Sequence, residues 1–78
     1  MAVTHSLMRA VVERGGVISQ FEAYRVLNLS ISKIAVAAEK LIANGELMRS
    51  MDPAKGGAIF YFIPGAPGYE EVQARGGD

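Results

Sequence analysis

The sequence predicts a small α+β domain of three helices with a C-terminal β-hairpin. Three observations carry that reading. Apolar residues recur at helical spacing in three runs, each bounded by a capping residue and a breaker. After Gly45 the pattern changes to strand, turn and strand. A chain of 78 residues that is 50% hydrophobic suffices for one core and no second domain.

The elements follow in order. Thr4 has the chemistry of a helix N-cap, with Val3 and Met8 placed as a hydrophobic staple. Leu7, Met8, Val11 and Val12 form the apolar repeat of the first helix, and Gly15-Gly16 ends it. Val17-Ile18 is too short for an independent strand but can add an edge to a sheet formed elsewhere. Ser19 caps a second helix whose apolar side is expected at Phe21, Tyr24, Val26 and Leu27. Asn28 tolerates the left-handed conformation that a tight turn requires, and Leu29 plugs that turn. Ser30 caps a third, longer helix, in which Ile31, Ile34, Ala38, Leu41 and Ile42 line one face until Asn44-Gly45 stops it.

The hairpin is expected from Leu47–Met51 and Ala58–Ile63, joined by the breaker group Asp52-Pro53-Ala54-Lys55-Gly56-Gly57. Alternating aromatics in its second strand, Phe60, Tyr61 and Phe62, read as core, and Met8 and Met51 fit core positions. Two prolines and two glycines within residues 64–68 set the expected boundary: a domain over 1–64 and a tail over 65–78. The tail holds one plausible helical turn around Glu70–Ala74, expected to be frayed or docked only in an oligomer.

Composition excludes several classes of function. The absence of cysteine removes disulfides, thiolate zinc sites and a cysteine nucleophile. His5 stands alone as a metal ligand, Glu70 and Glu71 point apart on a helix, and no serine has a base set beside it by a known motif. No enzymatic activity, metal or cofactor is therefore expected. The start lacks the basic and apolar regions of a secretory signal, and no stretch approaches a membrane span of ~20 apolar residues, so a cytoplasmic protein is expected. Eight bases balance eight acids overall. Residues 1–64, however, carry net +2 (seven bases, five acids), and the tail carries net −2. A mildly basic body permits a nucleic-acid partner without requiring one.

The order helix, short strand, helix, tight turn, helix, hairpin resembles the winged helix-turn-helix family of bacterial, plasmid or phage regulators. The resemblance covers roughly residues 5–64. It is carried by Val17 to Ser30, which looks like the family's second helix and turn with Ala23 facing the third helix and Leu29 in the turn. It is carried also by Leu41-Ile42-Ala43-Asn44-Gly45-Glu46-Leu47, similar to the passage from reader helix into the first wing strand. What the resemblance implies is binding of double-stranded DNA, as a regulator of transcription, replication or maintenance and as a homodimer. It would place Ser32, Lys33, Val36, Ala37 and Lys40 on the exposed side of the reader helix, with Ser30 near a phosphate at its N-terminus. Lys55 with the flexible Gly56-Gly57 would form the wing contact, and Arg49 would reach a phosphate from the hairpin. The reader helix has no arginine, and its Ile31, Ala35, Val36 and Ala37 suit either thymine methyls or a partner protein. A protein-interaction module using the apolar side of this helix is thus the alternative reading.

Overall fold

The computed structural model describes residues 3–65. Helix α1 spans Val3–Glu13, β1 spans Val17–Ser19, α2 spans Gln20–Leu27 and α3 spans Ile31–Ala43. Strands β2 (Met48–Asp52) and β3 (Ala58–Phe62) follow, separated by a 3₁₀ turn over Pro53–Lys55. The sheet is antiparallel in the order β1-β3-β2, with Ile18 opposite Tyr61 on one edge and Arg49 opposite Tyr61 on the other. The expected edge role of Val17-Ile18 is thus observed. The expected helical turn at Glu70–Ala74 lies outside the described residues.

One core joins the helices to the sheet. Leu7, Ala10 and Val11 of α1 meet Ala23 of α2 and Ile34, Ala38 and Leu41 of α3, closed from below by Ile18, Leu47 and Tyr61. Burying the Tyr61 ring requires a partner for its hydroxyl, which Gln20 Nε2 supplies as donor at 2.8 Å. Leu29 packs at the margin of this core, as a plug in the turn should.

Several side chains lie elsewhere than the sequence pattern suggests. Thr4 sits inside the first turn of α1, which already includes Val3, so it is not the cap. Val12 is exposed, and Ala10 is buried in its place. Of the expected apolar side of α2, only Leu27 packs on the core, while Phe21 (61% exposed), Tyr24 and Val26 face outward. The reason is angular: Phe21 lies about 160° around the helix from the fully buried Ala23, at ~100° per residue. Ile31 is likewise outward at 40% exposure, because the first residue of α3 precedes the turn that packs. Met51 is exposed, and Leu47 fills the core just before β2 begins.

Candidate nucleic-acid interface

The third helix is held at both ends by local hydrogen bonds. Asn28 adopts φ 53°, reversing the chain between α2 and α3. Ser30 has extended backbone, and its Oγ accepts from the Lys33 N–H at 3.2 Å. At the far end the Gly45 N–H donates to the Ile42 carbonyl at 3.0 Å and the Glu46 N–H to the Leu41 carbonyl at 2.9 Å. That pair is a Schellman closure, and it needs the left-handed φ of 76° that Gly45 supplies. Ser19 caps α2 in the same manner, accepting from the Glu22 N–H at 3.0 Å. The second helix, the turn and the third helix are therefore a defined unit.

The residues expected on the interface fall into three places. Ser32, Lys33, Val36 and Lys40 line one open groove along α3, whose other wall is Val3 and Thr4 at the start of α1. Lys33 and Lys40, seven positions apart, lie within about 20° of each other around the helix. Val36 is 57% exposed and stands about 160° from the buried Ile34. Ala37, expected on this exposed side, is instead buried at 3%. Three positions after Ile34 it falls only about 60° from the core direction, and it forms the floor of the groove rather than its rim.

Lys55 and Gly56 belong to a second groove, between the wing and the start of α2, which also includes Phe21, Ile31 and Phe60. The wing tip is a built turn. Asp52 is buried, its Oδ1 accepts from the Ala54 N–H at 3.0 Å, and its carbonyl accepts from the Gly57 N–H at 3.0 Å. Gly56 and Gly57 complete it at φ 70° and 82°, left-handed values that glycine adopts without strain. Lys55 Nζ lies 5.7 Å from the centroid of the Phe60 ring, a cation–π distance that holds the ammonium over the hairpin. Arg49 is in neither groove. It projects from the face of the sheet that also carries Tyr61 and pairs with Glu39 of α3 at 2.5 Å.

Ion pairing sorts the bases into two groups. Arg9 pairs with Glu13, Arg14 with Glu22, and Arg49 with Glu39, all among exposed side chains. Among the described residues, no acid lies in ion-pair range of Lys33, Lys40 or Lys55. Arg25 is occupied differently, with its guanidinium 5.9 Å from the centroid of Phe21, which itself stands 5.9 Å from Tyr24. Among the described residues the bases without an acidic partner are therefore Arg25 on α2, Lys33 and Lys40 on α3, and Lys55 on the wing, with Arg25 and Lys55 each lying over an aromatic ring. Among the described residues no cluster of three or more metal-binding side chains occurs, and no helix is long and apolar enough to cross a membrane.

The sequence reading missed Val3 and Thr4 as a groove wall and Phe21 with Ile31 beside the wing. The signal for the second pair was present. With Ala23 and Leu27 four apart, the buried stripe of α2 excludes Phe21.

A helix-turn-helix formed by α2 and α3, with a three-stranded sheet whose hairpin folds beside α2, is a winged helix-turn-helix. Solved structures share this fold. The PcaV transcriptional regulator from Streptomyces coelicolor, in complex with its natural ligand, superposes with a TM-score of 0.72 at 22% identity, over 99% of this chain and 52% of that one. A mutant MarR from E. coli, complexed with operator DNA, superposes with a TM-score of 0.72 at 14% identity, over 96% of this chain and 54% of that one. The chain therefore spans about half the length of each of these regulators. Neither protein-family models nor curated proteins give a match.

Proposed function

We propose that this chain binds double-stranded DNA, as a small regulator of transcription or of replication and maintenance, and does so as a homodimer. The observation that carries the reading is the placement of Lys33 and Lys40 on the open side of α3 without an acidic partner among the described residues, with Lys55 likewise unpaired on the wing. In a helix-turn-helix the second helix enters the major groove, and lysines on its flank meet phosphates. The MarR structure of the same fold was complexed with operator DNA, which supports the reading by analogy.

Three lysines engaging phosphates give a slope of log affinity against log salt of roughly −2.7 per chain, so a fourfold rise in salt weakens binding about fortyfold. Fluorescence anisotropy with a random 24-base-pair duplex over a salt series measures this directly. Lys33→Ala should weaken binding to all sequences alike and flatten the slope by about 0.9 per chain. No duplex affinity even at low salt would sink the DNA reading, and a duplex affinity that ignores Lys33 and Lys55 would sink the placement of its contacts on α3 and the wing.

The second reading, a protein-interaction module, is favoured by one feature: the α3 groove is walled by Val3 and Val36 over the Ala37 floor. Apolar docking there would be nearly insensitive to salt. The same titration therefore separates the two.

A further inference from the structure

We infer that α3 discriminates DNA sites through the C5-methyl group of thymine, with Val36 as the reading side chain. The inference rests on the DNA reading and names what that surface would recognise. Its basis is what the fold leaves on the outward centre of α3. Arg, Asn and Gln read purine edges by paired hydrogen bonds, and α3 holds none of them between Ile31 and Ala43. Apart from the core residue Ile34, the first two turns hold four apolar residues, Ile31, Ala35, Val36 and Ala37, as candidates for contact with base methyls, and the structure removes three. Ala37 is buried, Ala35 is half-buried, and Ile31 is turned toward the wing groove. Val36 remains, mostly exposed, with Ser32 one turn before it on the same side.

Charge complementarity fixes the class of occupant. Lys33 and Lys40 flank Val36 along one side of the helix and lack an acidic partner among the described residues, so a polyanion satisfies them where an apolar protein segment does not. A helix laid in the major groove with lysines toward one phosphate strand presents the residues between them to base edges. The one apolar feature displayed on those edges in unmodified DNA is the thymine methyl. Ser32, by contrast, can donate or accept and discriminates weakly.

The test uses the full chain and two 24-base-pair probes: an alternating A·T duplex, and the same duplex with every thymine replaced by uracil. The replacement deletes the C5-methyl and leaves the hydrogen-bonding edges intact. Burying one methyl corresponds to about fourfold in affinity, so the A·T duplex should bind about fourfold tighter, or more where several methyls are met. Val36→Ala, an exposed position where the fold should survive, is expected to bring the ratio close to one. Equal affinity of the unaltered chain for both probes overturns the methyl inference while leaving the DNA reading standing. A ratio that persists in Val36→Ala overturns the assignment to Val36. Failure to bind either probe at low salt overturns both the inference and the DNA reading beneath it.

Discussion

At the scale of the residue, the fold depends on which members of an apolar pattern turn inward, and position in the helix decides this more than hydrophobicity does. Ile31 and Ile34 are chemically identical and three positions apart, yet Ile34 is fully buried and Ile31 is exposed. Ile34→Ala is therefore expected to destabilise the protein by about 2–4 kcal/mol through lost transfer energy and the cavity left behind. Ile31→Ala should cost less than about 1 kcal/mol. Urea denaturation of the two variants checks the contrast, and equal losses would mean that α3 packs with a different face. The residue scale is also where the sequence was least legible. Ile34, Ala38 and Leu41 were readable as core because they repeat at i, i+4 and i+7. Ala37 was not, since a methyl side chain at the margin of the stripe suits either environment until α1 is known to pack over it. Phe21 misled for the opposite reason: its size marked it as core, while the angular position of Ala23 excluded it.

Elements were far more legible, because their ends are specified by local chemistry that needs no tertiary information. Ser19, Asn28, Ser30 and Gly45 each occupy the boundary their side chain or backbone favours, and the observed helices start and stop there. Thr4 shows the limit of such reasoning, since a residue with capping chemistry can also occupy a first turn. Two substitutions test the boundaries of α3. Ser30→Ala removes the acceptor for the Lys33 N–H and should cost about 1 kcal/mol. Gly45→Ala leaves open space around the new methyl but forces an L-residue into φ 76°, so its cost of about 1 kcal/mol comes from backbone strain alone. Thermal melts in parallel distinguish the two origins. Asn at position 45, which tolerates the left-handed region, should recover part of the Gly45 loss but has no counterpart for Ser30. The wing was legible as a hairpin, but its tip was not. A breaker-rich hexapeptide marks a turn without saying which, whereas the buried Asp52 carboxylate accepts from the Ala54 N–H and caps a 3₁₀ turn over Pro53–Lys55.

At the scale of the whole molecule, a formally neutral chain pairs three of its arginines with acids and leaves the lysines of α3 and the wing without one among the described residues. Glu13, Glu22 and Glu39 each hold an arginine, and the three lysines of α3 and the wing stay clear of them. This sorting was invisible in the sequence, where Arg49 looked as available to a phosphate as Lys33, because the Glu39 partner arrives only when β2 is folded against α3. It makes a prediction that composition alone does not. If Glu39 holds Arg49 away from DNA, Glu39→Ala should release the guanidinium, tighten binding to any duplex and steepen the salt slope by about 0.9, from roughly −2.7 to roughly −3.6 per chain. Removing one acid raises affinity by itself, so the slope is the informative quantity. The double variant Glu39→Ala/Arg49→Ala supplies the control and should return the slope to its starting value. In a homodimer on two half-sites each of these slopes doubles, which sedimentation velocity on the free protein would establish independently. A slope unmoved by Glu39→Ala would mean that Arg49 stands beyond the reach of phosphate whatever its partner. The hairpin would then contact DNA through Lys55 alone.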